Sequence, residues 1–311
     1  MDIKTEPDNV VVLLSSYNGS KYIEEQIQSI LTQEYSRYIT VFIRDDCSSD
    51  STLQIVKSIA CPRNREVRIL EDRKHNIGPQ RSFLTLIESA PEAAYYFLSD
   101  QDDVWKQDHI SSAVEMLEGM KDKPSLYCSN YSLADTELNI VDELAIKDKP
   151  QFTPLKAFFY NKIPGCCMAW NNELQKYLRQ MHPENVMMHD RYIASFASFI
   201  GEVVYDPRSH ILHRIHGDNV IGTGNKKIEL VSWIKEKSSL LIKREDYDVC
   251  EMAEEFLRVG KTIAHPEYVK DIELLRDYRE SRRKTKELLK HPDTSENNRG
   301  GYAVSCLYAA R

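Results

Sequence analysis

The feature that most constrains the fold is a repeated alternation of short apolar runs with segments of helical periodicity. Residues 10–14 are apolar and rich in β-branched side chains, as in a strand buried on both faces, and a polar turn and a helical pattern follow them. The same order recurs after the strands predicted at 39–44, 67–70 and 95–98. This alternation predicts an α/β fold with a mostly parallel sheet, flanking helices and right-handed crossovers.

Three polar turns in this half of the chain each follow a predicted strand. They comprise residues 15–20, 45–51 and 99–103. Ligands of such sheets bind beyond the carboxyl ends of the strands, so we expect the three turns to gather on one rim and to form the site.

The pattern changes twice further along the chain. Beyond about residue 125 it loosens, and beyond about 226 charged residues crowd in and apolar residues fall at helical spacing. We predict a catalytic domain over 1–225 and a C-terminal helical appendage with a mobile tail over 226–311. Between 125 and 225 the pattern predicts a loop at 132–150, a helix near 188–199 and short strands at 126–131, 164–170, 203–205 and 210–215.

Charge and cysteine usage exclude several classes of protein. The 311 residues carry a formal net charge of -7, whereas nucleic-acid-binding proteins usually carry a basic surplus. No apolar run approaches the roughly 20 residues that a membrane-spanning helix needs. The seven cysteines are scattered without zinc-site spacing, so we expect free thiols and a cytoplasmic location.

The sharpest local feature is the acidic loop 98–105, with the sequence LSDQDDVW. Asp100, Asp102 and Asp103 crowd together after a buried strand, and like charges at close range raise one another's pKa. A divalent cation such as Mn²⁺ or Mg²⁺ relieves that repulsion. The alternative is a solvated turn that caps the next helix, but Asp108 is better placed to cap it. We therefore predict a metal and phosphate site.

Two further turns carry polar groups that suit a nucleotide. Asp45 and Asp46 follow a strand, and a carboxylate there can accept the imide N–H of a pyrimidine base. Capping explains Asp50 and Ser51 but not these two residues. The turn at Tyr17 offers an aromatic ring and backbone amides, although such a turn is common chemistry on its own.

Together these motifs resemble the inverting glycosyltransferases of family 2, which have the GT-A fold. The resemblance covers roughly residues 9–222, and it is particularly close to bacterial rhamnosyl- and hexosyltransferases that build surface polysaccharides or glycans. It is carried in order by VVLLSSYNGSKYIEEQIQSILTQ, IRDDCSSDST, HNIGPQRSF, LSDQDDVW, PGCCMAWN, MHDRY and HRIHGDNVIG.

The resemblance assigns the donor site position by position. Tyr17 and Asp46 hold the base, and Gly78 lets the backbone approach the nucleoside, while Arg81 either approaches the nucleotide or is an ordinary exposed helix arginine. Asp103 only orients the loop. The residues that shape the base pocket are Ser16 and Asn18. Asp102 binds the metal, Asp100 lies near the ribose or the metal, and His216 lies near the metal or the diphosphate.

It also assigns the chemistry. Asp190 is the base that takes the proton of the acceptor hydroxyl. The alternative role for Asp190 is to cap the helix that follows it. Arg214 assists the leaving diphosphate beside the metal. Trp105 and Trp170 offer apolar faces for sugar rings, although core packing is the commoner use of tryptophan.

The predicted partners follow from this resemblance. They are a UDP- or dTDP-sugar carrying galactose, glucose or rhamnose, and a lipid-linked or protein-linked glycan acceptor, with no nucleic acid. A basic stretch over 276–290 is either a solvated helix face or a peripheral contact with the inner membrane face or a partner carrying the acceptor. The C-terminal helices also offer a surface for a homo-oligomer.

Competing functions lack their sequence features. A sugar-nucleotide pyrophosphorylase generally shows a glycine-rich basic loop after the first strand, and a dinucleotide-dependent oxidoreductase needs a G-x-G-x-x-G turn. Neither motif is present. A catalytically degenerate binding subunit is disfavoured because the carboxylates and His216 are intact.

Overall fold

The computed structural model describes residues 8–72, 75–182, 188–216 and 249–294. The chain divides into two compact units. The first comprises Met1–Pro150, Lys162–Gln180 and Gly201–Arg214, and the second comprises Gln151–Asn161, Met181–Ile200 and Ile215–Arg311. The boundary predicted at 225/226 lies outside the described residues and stays a prediction.

The first unit is an α/β sheet with flanking helices, as predicted. Across the described residues the strand order is β3-β2-β1-β4-β8-β6-β9-β5, and β7 pairs with β6. The strands are β1 (Val10–Ser16), β2 (Ile39–Asp45), β3 (Arg65–Ile69), β4 (Tyr95–Ser99), β5 (Val104–Trp105), β6 (Ser125–Ala134), β7 (Ile140–Asp142), β8 (Met168–Asn171) and β9 (Glu202–Arg214). The helices of this unit are α1 (Ile23–Leu31), α2 (Thr52–Ser58), α3 (Gly78–Ser89), α4 (His109–Glu118) and α6 (Asn172–Leu178).

The first four strands form the parallel part of the sheet. Strands β2 and β4 flank β1, and β3 pairs with β2, all in parallel register. All seven residues of β2 are buried, which explains why its apolar residues do not alternate with exposed polar ones. Helix α1 buries Ile23, Ile27 and Ile30 on one face. Each fully buried side chain of this kind contributes about 1.5–3 kcal/mol by the hydrophobic effect.

The second half of the sheet contains both parallel and antiparallel pairs, and its strands differ from the short strands predicted between 125 and 225. Strand β8 runs antiparallel to β4 and β6, and β5 runs antiparallel to β9. The two strands predicted at 203–205 and 210–215 are one strand, β9, whose pairing with β6 shifts register around Asn130. The prediction for 164–170 missed a 3₁₀ turn at Gly165–Cys167 before β8. The loop predicted at 132–150 contains the end of β6 and all of β7.

The second unit is helical in its described part. It contains α5 (Pro154–Tyr160), α7 (His189–Ile200), α8 (Val249–Gly260), α9 (Pro266–Asp277) and α10 (Arg282–Lys290). Phe256 of α8 lies with its ring centroid 5.4 Å from Tyr192, 5.0 Å from Phe196 and 6.1 Å from Phe199 on α7. The helical character predicted beyond 226 is confirmed from 249 to 290. The predicted segments 226–248 and 295–311 lie outside the described residues.

In the described part of the chain, no helix combines the length and the apolar character needed to cross a membrane.

Candidate active site

The three polar turns predicted to share one rim of the sheet are hydrogen-bonded to one another. The Asp46 N–H donates to the Ser16 carbonyl at 2.7 Å, and the Asn18 N–H donates to Ser48 Oγ at 2.9 Å. The Tyr17 N–H donates to Oε1 of Gln101 at 2.9 Å. The turns after β1, β2 and β4 therefore form a single polar rim, and this prediction is confirmed.

The turn after β1 presents one aromatic side chain to solvent. Tyr17 is 49% exposed, whereas Ser16 is buried and donates from Oγ to Asp45 Oδ1 at 3.4 Å. Asn18 has a φ of +48°, a left-handed conformation that asparagine tolerates. Its Oδ1 accepts the Ser49 N–H at 2.8 Å. Ser16 and Asn18 shape the turn, and Tyr17 is its exposed surface.

The Asp46 side chain connects this rim to the start of α3 by hydrogen bonds. Its carboxylate accepts Nη1 of Arg44 at 2.7 Å, the Ile77 N–H at 2.9 Å and the Gly78 N–H at 2.8 Å. A buried carboxylate with three N–H donors is satisfied by its own chain. The structure thus gives Asp46 the task of fixing residues 76–78, and its contact with a base stays a prediction.

Gly78 takes a backbone conformation that favours glycine. Its φ is +81°, and it opens α3 directly before Pro79. Arg81, one turn further along α3, is exposed. Arg44 is buried beneath the rim and also pairs through Nε with Asp72 Oδ2 at 2.8 Å. The buried Arg44 guanidinium thereby neutralises the charge of Asp46.

The acidic loop separates its three carboxylates into two environments. Asp103 is fully buried, accepts the Arg214 N–H at 3.2 Å and lies 2.9 Å from Nδ1 of His213. Burial alone would lower the pKa of His213, but the Asp103 carboxylate outweighs it and raises the pKa to about 10. Asp100 and Asp102 remain partly exposed. Asp103 thus orients the loop, as predicted, by a buried ion pair.

Asp100 and Asp102, the two partly exposed carboxylates of the loop, fit a divalent cation. Burial together with the neighbouring Asp103 and Asp102 carboxylates raises the pKa of Asp100 to about 7. This excess of negative charge, on oxygen ligands that Mn²⁺ and Mg²⁺ favour, is the condition that a bound cation relieves.

A second group of ligand-type atoms lies beneath the loop. Atoms of Asp103, Cys166 and His213 lie within 4.8 Å of one another. The hydrogen bond with Cys167 and burial hold the pKa of the Cys166 thiol well above its usual range. A protonated thiol beside a closed ion pair is a poor metal ligand. Cys166 and Cys167 are both fully buried, so they serve as packing residues here.

Arg214 holds the acidic loop from its far side. The guanidinium donates to the Asp102 carbonyl at 3.0 Å, to the Thr136 carbonyl at 2.6 Å and to Glu25 at 2.5 Å. It also lies 4.6 Å from the centre of the Tyr22 ring. The Arg214 guanidinium is therefore hydrogen-bonded to other residues of the protein. Its contact with a leaving diphosphate stays a prediction.

The remaining two predicted residues belong to the second unit. Asp190 is buried in the first turn of α7, where it accepts the Arg191 N–H at 2.7 Å and Nδ2 of Asn161 at 3.4 Å. It lies inside the helix and is not its N-cap. His216 is partly buried two residues beyond the end of β9.

Two capping assignments from the sequence were only partly right. Asp108 occupies the N-cap position of α4, as predicted, but its side chain makes no capping bond, and its carboxylate lies 3.0 Å from Nδ1 of His210. Ser51 caps nothing through its side chain, and Asp50 takes that role by accepting the Thr52 N–H at 3.0 Å.

Other residues of the site were missed or left open. Trp105 and Trp170 are buried in the core. Gln101, His213 and Arg44 could not be identified from the sequence, since neither composition nor spacing distinguishes them from ordinary loop and strand residues.

Comparison with known proteins agrees with this geometry. The family described as "Glycosyl transferase family 2" matches residues 11–169. The dTDP-rhamnosyl transferase RfbG of Shigella flexneri is 29% identical over 220 residues, which are 67% of this chain and 73% of the relative.

Two solved structures share the fold. The mannosyltransferase PcManGT of Pyrobaculum calidifontis, in complex with GDP-Man and Mn²⁺, superimposes with a TM-score of 0.58 at 16% identity, covering 99% of this chain and 88% of the other. Residues 1–349 of Staphylococcus aureus TarS superimpose with a TM-score of 0.56 at 15% identity, covering 97% and 80%.

The GT-A fold, the polar rim and the family match define a nucleotide-sugar transferase. The chain belongs to glycosyl transferase family 2 and is a glycosyltransferase.

Proposed function

We propose that this chain is a metal-dependent, inverting glycosyltransferase that moves a sugar from a UDP- or dTDP-sugar to a hydroxyl of a glycan acceptor. The observation that carries the proposal is the pair of partly exposed carboxylates, Asp100 and Asp102, on the same rim as the exposed Tyr17 ring. The rim therefore combines groups for a base and for a charged diphosphate.

The relatives support the choice of donor and cofactor. RfbG is by its name a dTDP-rhamnosyl transferase, TarS has been solved with UDP-GlcNAc, and PcManGT holds GDP-Man and Mn²⁺. By analogy with RfbG we propose rhamnose as the transferred sugar, with the galactose or glucose that the family resemblance implies as alternatives, in surface polysaccharide or glycoprotein biosynthesis.

The chain's residues divide the work between binding and proton transfer. Asp100 and Asp102, with His216 as a further ligand, are proposed to hold Mn²⁺ or Mg²⁺. When bound, the cation supplies positive charge against the donor diphosphate. Tyr17 offers its ring to the base, while Asp46 and Gly78 keep the loop at 76–78 in place. Arg81, exposed on α3, is proposed to approach the nucleotide.

Asp190 is proposed as the catalytic base. Its carboxylate accepts the proton of the acceptor hydroxyl as that oxygen bonds to the anomeric carbon. The bond from the anomeric carbon to the diphosphate oxygen breaks at the same time, so the configuration inverts. Arg214 is proposed to contribute by holding the Asp102 backbone.

Donor turnover tests this function. The protein is incubated with Mn²⁺ and dTDP-rhamnose, UDP-glucose, UDP-galactose or GDP-mannose. The nucleoside diphosphate released as the sugar passes to water or to a sugar acceptor is then measured. We expect turnover of a UDP- or dTDP-sugar that Asp102→Ala abolishes and that Asp122→Ala, an exposed carboxylate of the same unit, leaves unchanged. Absence of turnover with every donor would favour a degenerate binding subunit.

We further propose that the protein contacts an anionic membrane through α10. Arg282, Arg283, Lys286 and Lys290 are exposed on one side of this helix, while Leu288 is fully buried. Among the described residues these four cations have no ion pair, in contrast to Lys284, which pairs with Asp277 and Glu280. A cationic face on a chain of net charge -7 suits an acidic phospholipid surface.

Vesicle sedimentation at low salt tests the membrane contact. We expect binding to vesicles containing phosphatidylserine and none to phosphatidylcholine alone, lost when the four cations become glutamine but retained in Lys270→Gln. Binding that survives the fourfold change would contradict the proposal. The cytoplasmic location and the homo-oligomer stay predictions.

A further inference from the structure

The residue between the two exposed carboxylates is bonded to the main chain of the residue that the rim offers to a base. Oε1 of Gln101 accepts the Tyr17 N–H at 2.9 Å, and Nε2 of Gln101 donates to the Tyr17 carbonyl at 3.0 Å. An amide that donates and accepts toward one residue is fixed in orientation as well as in position. Gln101 therefore joins the acidic loop to the turn after β1.

The space around this contact is filled by Gln101 itself. A Cβ added at Gly19 would overlap the end of the Gln101 side chain, and the three nearest atoms to it are Oε1, Cδ and Nε2 of that residue. The Gly19 N–H is held by Thr52 Oγ1 at 2.8 Å, so the backbone is anchored in place. A side chain at residue 19 would thus displace the Gln101 amide and break both of its bonds to Tyr17.

The neighbouring residues leave Gln101 as a direct side-chain link between these two segments. Asp100 and Asp102 flank it, Asp103 bonds the loop to β9, and Arg214 joins the loop to β9 and to Glu25 on α1. Asn18 secures the turn to the loop after β2 through Ser48 and Ser49. Removal of the Gln101 amide therefore breaks this direct link between the turn and the acidic loop and leaves the other anchors of each segment intact.

We infer that Gln101 is a positioning residue that couples nucleoside binding at Tyr17 to cation binding at Asp100 and Asp102. The inference rests on the proposed function. If the two segments move as one body, a cation that orders the acidic loop also orders the turn, and the nucleoside does the same in return. Such coupling is reciprocal and is measured as the factor by which Mn²⁺ changes the affinity for the nucleotide.

Calorimetric titration of UDP and dTDP measures this factor. In the wild-type protein we expect Mn²⁺ to raise the affinity on the order of 10-fold or more, a usual size for coupling between two sites. Gln101→Ala and Gln101→Met, the second of which keeps the bulk but loses both hydrogen bonds, should each reduce the factor severalfold. Gln54→Ala, an exposed glutamine on α2, is the control and should keep it.

A second measurement needs neither metal nor nucleotide. Gly19→Ala should lower the urea midpoint of unfolding in the wild-type background and have no effect in the Gln101→Ala background, where the overlapping atoms are absent. The two substitutions should also agree in the titrations: Gly19→Ala should reduce the coupling factor to the value found for Gln101→Ala. A merely structural glutamine would change the midpoint without changing the coupling factor.

The outcomes separate the inference from the proposed function. A wild-type protein that binds UDP or dTDP with Mn²⁺, together with an undiminished coupling factor in Gln101→Ala and Gln101→Met, overturns the inference and leaves the proposed function standing. A wild-type protein that binds no nucleotide overturns both. Additive effects of Gly19→Ala and Gln101→Ala on the urea midpoint overturn the contact on which the inference depends.

Discussion

Nδ1 of His213 lies 2.9 Å from Oδ1 of Asp103, and this buried ion pair joins the acidic loop after β4 to the end of β9. The pair removes one of three crowded carboxylates from the rim. The two that remain partly exposed, Asp100 and Asp102, are those to which the family resemblance assigns the metal. The His213 pair thus leaves Asp100 and Asp102 as the partly exposed carboxylates of the loop.

His213→Ala should destabilise the first unit, because it leaves the Asp103 charge buried without its partner. Breaking a buried ion pair from one side costs about 3–5 kcal/mol of unfolding free energy. The Asp103→Ala/His213→Ala double variant should lose less than the sum of the two single variants. Urea unfolding followed by tryptophan fluorescence checks this, and additive losses would show that the two side chains do not interact.

Asp46→Asn should loosen the loop at 76–78. The change keeps the size of the side chain but removes the charge and one acceptor, so the Ile77 and Gly78 N–H groups lose bonds of the charge-assisted kind, worth about 1.5–3 kcal/mol each. Hydrogen exchange at these two amides should accelerate about 10-fold or more, by the same free energy. Asp72→Asn, which removes the more exposed partner of Arg44, is the control and should change their exchange much less.

Asp190→Asn should separate chemistry from donor binding. If Asp190 is the base, transfer should fall about 100-fold or more, the usual contribution of general base catalysis, while the nucleotide Kd changes little. Asn161→Ala removes the amide at 3.4 Å from this carboxylate and should cause a smaller loss. Donor titration and transfer assays on the same preparations give the comparison. Loss of nucleotide binding in Asp190→Asn would mean that its role is a different one.

The stability of the second unit should fall as the pH rises above about 6, because of one histidine. Nε2 of His291 lies 3.3 Å from Asp271 Oδ1, and this hydrogen bond raises the pKa of His291 above its usual value. A raised pKa in the folded state gives stabilisation that is complete below the unfolded pKa of about 6.5 and is lost as the pH passes the folded value.

The effect of this pair should be below about 1 kcal/mol, since the pair is partly exposed. His291→Gln and Asp271→Asn should flatten the pH dependence of the unfolding free energy between about pH 6 and pH 8 to the same extent. A slope that survives either change would assign the pH dependence to another group.

The parallel half of the fold could be predicted because its strands are buried on both faces and its helices are amphipathic. Helix α7 was likewise evident from its periodicity. Strand β9 was not, since the sequence DPRS at 206–209, where Pro207 and Arg208 are exposed and the pairing with β6 shifts, interrupts its pattern. Sequence periodicity cannot show that a strand continues through such an irregularity.

The candidate site could be predicted where charge is concentrated. Asp46, Asp100 and Asp102 follow strands in a pattern that composition alone does not explain. Gln101 and His213 could not be predicted, because their roles depend on contacts with Tyr17 and Asp103 that arise only when distant segments meet. The hydrogen bond from Arg214 to Glu25 could not be predicted either, because 189 positions separate the two residues in the sequence.

Under the proposed function, the rim holds a nucleoside diphosphate through a cation bound by Asp100 and Asp102. Calorimetry and thermal unfolding with UDP, dTDP and GDP, each with and without Mn²⁺, measure this binding. At 100 times its Kd a ligand stabilises the folded state by about 2.7 kcal/mol. We predict stabilisation by UDP or dTDP that requires Mn²⁺ and disappears in Asp102→Ala. Binding that is unaffected by Mn²⁺ and by Asp102→Ala, or no binding of any of the three nucleotides, would contradict it.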